Sequence, residues 1–444
     1  MSLTAIDSQI TAPLLTDPAT AALFQDAAVI HSMLEVEGAL ALAEADCGLI
    51  PEEAGTAIWA ASAKTTIEPA ALAAGTTKDG VPVPALVAAL RKAVGDPHGQ
   101  FVHWGATSQD IADTGLVLRL RKALDLHEAG LRKLASSLAG LAEAHRQTPL
   151  AARTRMQQAT PTSFGLKAAV WLCAVLRHLD RLPAIRERLL VLSFGGASGN
   201  LAALGGKAMD VEAALARRLK LASATAPWHT VRDSLIDYAN WLALVTGTLG
   251  KIGTDIILLA QNEVAEVRPG SGGGSSTMPN KVNPVAAELL VALARQNATL
   301  ISSMHQASLQ DHERSGAAWT LEWLTLPQMV IGTGAALAHG AAMISELTVN
   351  ADQMRANIDA SNGLLLAEAA SFALAEQMPR PEAQALVKEA CKTAVSEKRH
   401  LFDVLSETTG TSVDWEALKD PARHMGASDA MIDRVLESYQ HFKG

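Results

Sequence analysis

The sequence predicts an all-α protein, with three helical domains and a central bundle of long helices. Of its 444 residues, 49% are hydrophobic but only 4% are aromatic, so alanine, leucine and valine supply most of the apolar surface. Leucines recur at three- and four-residue steps along five stretches in the middle of the chain, as in amphipathic helices. Strand signals are few. The best is 189–196, which is also compatible with the end of a helix.

The five long stretches are the basis for the bundle. A helix of about 30 residues is roughly 45 Å long, more than one globular domain needs. Several stretches, such as 238–261, are apolar around much of their circumference, which predicts burial against other subunits. Pro183 and Pro327 are expected to kink or break two of the helices. The predicted helices are Asp113–His145, Pro161–Leu192, Ser234–Val267, Pro284–Asp311 and Ala317–Leu347.

Shorter helical patterns with frequent turn signals lie on both sides of this bundle. We therefore predict an N-terminal helical domain at 1–105, a central bundle at 106–347 and a C-terminal helical domain at 348–444. Residues 324–345 are uncharged for long enough to be considered as a membrane span. Their proline, glutamine and histidine favour a buried core helix instead.

Charge and cysteine content narrow the class of protein. A net charge of −9 disfavours a nucleic-acid partner but leaves room for a small anionic substrate, because a few cations can dominate a pocket. The three cysteines are far apart and predict neither a disulfide framework nor a zinc site. The absence of a disulfide framework predicts a reducing, cytoplasmic location. The first residues lack a basic segment followed by an apolar run, so we expect no signal peptide, and we expect no membrane partner.

Three polar stretches, each at the start of a predicted long helix, are the candidate sites of chemistry: 103–115, 152–165 and 268–288. Helix N-termini present free N–H groups that suit carboxylates. Each stretch could alternatively be ordinary helix capping, and the glycine-rich third one could be a linker or a lid. It is not a P-loop, because no Gly-Lys-Ser/Thr follows the glycines.

Together and in this order, the three stretches resemble the shared regions of the fumarase/aspartase superfamily. "GSSTMPNKVNP" at 274–284 resembles its signature, and "HWGATSQDIADTG" and "RTRMQQATPTS" resemble its first and second regions. The resemblance covers essentially the whole chain. Three further stretches, 190–221, 227–235 and 310–319, resemble the cycloisomerase branch.

The resemblance implies an enzyme that needs no cofactor and no metal, and a homotetramer whose active sites take residues from three subunits. The shared chemistry is addition or elimination beside a carboxylate, through a dianionic aci-carboxylate stabilised by preorganised donors. The expected reaction is lactonisation of a small polycarboxylate, a 3-substituted muconate. The substituent, carboxylate or sulfonate, stays open.

The resemblance also assigns roles to residues. Ser275 is the expected acid and base, with Lys281 and Asn283 holding a substrate carboxylate and its developing charge. The glycines before them would let a lid open and close, and Pro279 and Pro284 would fix its frame. Further substrate-binding candidates by matching position are His103, Thr107, Ser108, Thr154, Arg155, Gln157, Thr160 and Arg314; His229 is a weaker candidate.

Arg155 departs from the lyases that release an amine-bearing product, which usually carry histidine after the threonine. An arginine binds a carboxylate in a fork, which suits a multiply anionic substrate. It weakens the alternative of an adenylosuccinate lyase-type C–N lyase. A further alternative, a helical assembly protein that has lost catalysis, is disfavoured because Ser275, Lys281 and Asn283 are all retained.

Overall fold

The computed structural model describes residues 4–270, 273–274, 278 and 281–443, and α-helices dominate them, as predicted. The chain divides into two compact units. The first unit comprises 1–130, 180–247 and 292–338, and the second comprises 131–179, 248–291 and 339–444. The three-domain division at 105 and 347 stays a prediction.

The five predicted long helices are present. They have 37, 26, 27, 22 and 30 residues and span Ser108–Ala144, Phe164–Leu189, Asp233–Leu259, Val285–Gln306 and Gly316–Ser345. Pro183 and Pro327 lie inside two of these helices, which continue through them. Of the two expected effects, a break is therefore wrong, and a kink stays a prediction. Asp233–Leu259 is long and apolar enough to cross a membrane by composition, but half of its most apolar stretch is buried, as in a core helix.

Shorter helices complete the first unit. They span Ala12–Leu15, Pro18–Ala22, Asp26–Asp46, Glu52–Lys64, Pro69–Asp79, Val83–Val94 and Ala208–Leu219, with 3-10 turns at His98–Phe101 and Ala202–Lys207. Asp26–Asp46 packs against Glu52–Lys64 and Ala208–Leu219. Its buried Leu34, Leu40 and Ala43 belong to the apolar core of this unit.

The second unit adds the C-terminal helices Ala351–Asp359, Ala367–Ala375, Arg380–Glu397, Leu401–Thr409, Trp415–Leu418 and Ser428–Gln440, with 3-10 turns at Leu364–Leu366 and Pro421–His424. Phe402, Leu405 and Trp415 lie in the buried cluster that joins several of them. Of the stretch at 189–196, Leu189 ends a helix, Val191 forms one isolated bridge with Ala222, and the rest is irregular.

The strands of the described residues form three two-stranded antiparallel pairs, all in the second unit. Pro149–Thr154 pairs with Gln157–Ser163, Val267–Arg268 with Thr348–Val349, and Gly273–Gly274 with Val282–Asn283. The first pair corrects a prediction, because the helix expected from Pro161 begins only at Phe164. Residues 157–163 instead pair with 149–154, and the Ser163 hydroxyl accepts a hydrogen bond from the Leu166 N–H at the helix start.

Candidate active site

Thr107 and Ser108 lie at the N-terminus of the 37-residue helix, where backbone N–H groups have no helical acceptor. The Thr107 N–H donates to Asp110 Oδ2 at 2.9 Å, so the aspartate rather than the threonine does the capping. Both hydroxyl-bearing residues are half-buried. Asp110 therefore caps this helix end, and the side chains of Thr107 and Ser108 are available for other contacts.

Asp110 is the centre of a buried hydrogen-bond cluster in the first unit. Besides Thr107, its carboxylate accepts from the N–H groups of Gly195 at 2.8 Å and Gly196 at 3.0 Å. His229 Nε2 lies 2.7 Å from Asp110 Oδ1, and both side chains are almost fully buried. A carboxylate oxygen accepts, so this hydrogen bond needs the ring proton on His229 Nε2. His229 Nδ1 has no partner among the described residues.

Arg314 joins the same neighbourhood. Its Nε donates to Gln109 Oε1 at 3.2 Å and its Nη2 to the Gly196 carbonyl at 3.2 Å. Gln109 in turn donates to the His229 carbonyl at 2.8 Å. The structure thus brings Arg314 from a distant part of the sequence to the helix end that carries Ser108.

A second buried charge cluster lies one turn along the same helix. Arg232 donates to Asp113 at 2.6 and 3.1 Å and to Glu322 at 2.8 and 2.6 Å. Trp319 Nε1 also donates to Asp113 Oδ1 at 3.1 Å. Burial raises the pKa of Glu322, while Arg232 opposes that rise. This cluster joins the helices Ser108–Ala144 and Gly316–Ser345 to the residue directly before the helix Asp233–Leu259.

His103 adopts a backbone conformation that L-residues rarely take, with φ 64°. Its Nδ1 lies 2.6 Å from Glu37 Oε1, and the Glu37 side chain is fully buried. Burial works against the charged form of His103, but Glu37 and Asp110 outweigh it and raise the pKa of the imidazole. Sequence reasoning missed Glu37. A signal was present, because Glu37 and Glu44 are seven residues apart and share one face of the helix Asp26–Asp46 with many apolar residues.

The second region forms a hairpin in the second unit. Thr154 pairs with Gln157 across a two-residue turn, Arg155 and Met156, whose φ values are 48° and 68°. Positive φ at both positions defines the turn type that suits tight hairpins. Arg155 is therefore exposed at the hairpin tip. Along the outer strand, Gln157 and Thr160 line an open cavity of about 730 Å³.

The neighbouring arginine has a different role. Arg153 makes a two-pronged ion pair with Glu266, with both N–O distances at 2.8 Å, and Glu266 also accepts from Asn357 Nδ2 at 2.8 Å. Glu266 is fully buried. This pairing anchors the hairpin close to its turn, and Arg155, at the tip itself, has no such partner among the described residues.

Lys281 and Asn283 of the third region also lie in the second unit. Gly273 pairs with Asn283 and Gly274 with Val282, while the Lys281 N–H donates to the Met278 carbonyl at 3.0 Å. Lys281 is exposed and Asn283 half-buried, directly before the helix that begins at Val285. Ser275 and Pro279 lie outside the described residues. Among the described residues, no group of three or more His, Cys, Asp or Glu side chains is placed to hold a metal ion.

The candidate residues thus form two sets. His103, Thr107, Ser108 and Arg314 belong to the first unit, and the hairpin residues with Lys281 and Asn283 belong to the second. Each set is rich in cations and hydrogen-bond donors, which suits a substrate with several carboxylates.

Comparison with known proteins agrees with this description. Residues 8–297 match a family model described as "Lyase", and residues 363–435 match one described as "Adenylosuccinate lyase C-terminus". The chain therefore belongs to the lyase family of the fumarase/aspartase superfamily and is an enzyme, which confirms the predicted fold class.

Similar proteins share one name. The 3-carboxy-cis,cis-muconate cycloisomerase of Pseudomonas aeruginosa is 45% identical over 94% of both chains. The enzyme of the same name from Bradyrhizobium diazoefficiens is 43% identical over 98% of both. The crystal structure of the 3-carboxy-cis,cis-muconate lactonizing enzyme from Pseudomonas putida matches with a TM-score of 0.93 at 44% identity, covering 98% of this chain and all of that one. These relatives favour a cycloisomerase over the C–N lyase alternative.

Proposed function

We propose that the chain converts 3-carboxy-cis,cis-muconate to 4-carboxymuconolactone, a step in the degradation of protocatechuate and related aromatic compounds. The observation that carries the proposal is identity of 43–45% over 94–98% of the chain to enzymes of this name. The cations and donors on the described candidate residues suit such a tricarboxylate.

The reaction has a simple balance. One substrate carboxylate oxygen forms a C–O bond to a carbon of a double bond, the π bond breaks, and the adjacent carbon alpha to another carboxylate takes up a proton. A trianion becomes a dianion and one proton is consumed. The enzyme must therefore hold three carboxylates, stabilise charge on one of them as it becomes an aci-carboxylate, and supply a proton to carbon.

The candidate residues fit these tasks. Ser275 is the proposed proton donor, and Lys281 with Asn283 binds the carboxylate that carries the developing charge. Arg155 at the hairpin tip binds the 3-carboxylate in a fork. The remaining carboxylate and the body of the substrate contact His103, Thr107, Ser108, Thr154, Gln157, Thr160 and Arg314.

Assembly into a homotetramer would complete the site. Large apolar side chains on three of the long helices are more than half exposed in the single chain: Val170 at 59%, Leu244 at 53% and Leu324 at 63%. Such exposure along helices of a bundle supports burial against other copies. Light scattering is expected to give four times the mass of one chain. We further propose a cytoplasmic location.

The activity test compares three substrates at equal concentration. Incubation with 3-carboxy-cis,cis-muconate is expected to remove the absorbance of the conjugated diene, whereas 3-sulfomuconate reacts more slowly and adenylosuccinate is unchanged. Fumarate release from adenylosuccinate without muconate turnover would overturn the proposal.

A further inference from the structure

We propose that Glu37 is a positioning residue that fixes His103 as a cationic donor for a substrate carboxylate. The role assigned to His103 rests on the proposed function, but the pairing with Glu37 and its effect on the imidazole do not. Nothing in the family resemblance assigned a role to Glu37.

The backbone around His103 is held from two sides. Arg91, from the helix Val83–Val94, donates to the carbonyl of Val102 at 3.1 Å, directly before His103. Glu37, from the helix Asp26–Asp46, contacts His103 Nδ1 through its Oε1 at 2.6 Å. A left-handed φ at a non-glycine residue is strained and persists where surrounding contacts over-determine it. These two contacts do so here.

The pairing also decides which ring nitrogen is available. With Nδ1 committed to Glu37, Nε2 is the remaining ring nitrogen, and it donates when the ring is protonated. It makes no hydrogen bond to the described residues. The His103 side chain keeps 17% of its surface exposed, while Glu37 keeps none. A buried carboxylate beside a partly exposed imidazole favours the protonated ring, four residues before the helix N-terminus at Thr107 and Ser108.

Charged groups around the pair act in both directions. Burial and Arg91 lower the pKa of His103, whereas Glu37 and Asp110 raise it, and the net direction is upward. Behind Glu37 on the same helix, burial and the charge of Glu37 raise the pKa of Glu44 to about 9. Glu44 is therefore neutral at pH 7, and Glu37 is the carboxyl group on this helix that contacts His103.

This contrast supplies a matched pair of variants. Glu37→Gln keeps the shape and an acceptor oxygen but removes the charge, while Glu44→Gln replaces a neutral side chain with a neutral one of the same shape. Histidines labelled at Cε1 report the ring titration by NMR, and His103→Asn identifies the His103 signal. Glu37→Gln is expected to lower the pKa of His103 by at least one unit, and Glu44→Gln to leave it within 0.3.

Turnover gives the second readout. If imidazolium binds the substrate, activity falls as pH rises through the pKa of His103. Glu37→Gln is expected to reduce kcat/KM about tenfold at pH 7, mainly through KM, and to move the alkaline fall to lower pH. Glu44→Gln is expected to stay within twofold of the parent enzyme.

An equal effect of both variants, or a His103 titration unchanged by Glu37→Gln, would overturn the inference. Absence of muconate turnover in the parent enzyme would instead overturn the proposed function, while the NMR result still tests the pairing.

Discussion

His229 Nε2 lies 2.7 Å from Asp110 Oδ1 in the first unit, with both side chains almost completely buried. Asp110 is at the same time the acceptor for the backbone N–H groups of Thr107, Gly195 and Gly196. One carboxylate therefore fixes the start of a 37-residue helix, a glycine turn and an imidazole. His229, a weak candidate from the sequence, lies in this network and its direct contact with a substrate stays untested.

Asp110→Asn is expected to destabilise the protein strongly. The variant loses the charge that four donors share. It also places an NH₂ donor among groups that are themselves donors, and together these changes cost about 2–4 kcal/mol. Thermal unfolding should show a clear fall in Tm. Asp125→Asn is the matched control on the same helix, because Asp125 is largely exposed and pairs with Arg186 at 2.8 Å. We expect it to cost under about 1 kcal/mol, and equal losses would contradict the special role of Asp110.

Ser275→Ala is expected to lower turnover by about 10²–10⁴-fold, as for loss of a general acid. The oligomer, measured by light scattering, is expected to remain unchanged. Ser276→Ala is the control, since the resemblance assigns the chemistry to the first serine of the pair. Near-normal turnover of Ser275→Ala would show that another group supplies the proton.

Arg155→His and Arg153→His should fail in different ways. Arg155 is at the exposed hairpin tip, and histidine tolerates its left-handed φ better than most residues, so the fold should be kept. We expect at least a tenfold rise in KM for the muconate with Tm unchanged. Arg153→His should lower Tm, because it leaves the buried Glu266 without its two-pronged partner. If Arg155→His is silent in steady-state kinetics, Arg155 is not a substrate ligand.

Sequence periodicity located the long helices to within a few residues at most ends, because a repeated apolar face is visible along the chain. It failed at Pro161, where a Thr-Pro pair reads as a helix start but lies in a hairpin strand whose partner, 149–154, carries little strand signal of its own. The buried charges were also missed. Asp113, Arg232 and Glu322 are distant in sequence, and no local pattern shows that they meet.

Glu44→Gln is expected to stabilise the protein, and increasingly so as pH rises. Both Glu44 carboxyl oxygens are buried and without a partner among the described residues, and burial raises the pKa of this group to about 9 from a usual value near 4.5. The folded state then holds a proton that the unfolded state releases, so the wild-type protein loses stability as pH rises from about 4.5 to about 9. At pH 7 this difference amounts to about 3 kcal/mol at most.

Glutamine cannot ionise, so the variant does not lose this stability as pH rises. The Tm difference between variant and parent should therefore be small at pH 5 and large at pH 8, with exposed Glu53→Gln as the control. A Tm difference that is independent of pH would mean that Glu44 reaches water or a cation in the folded protein and stays ionised there.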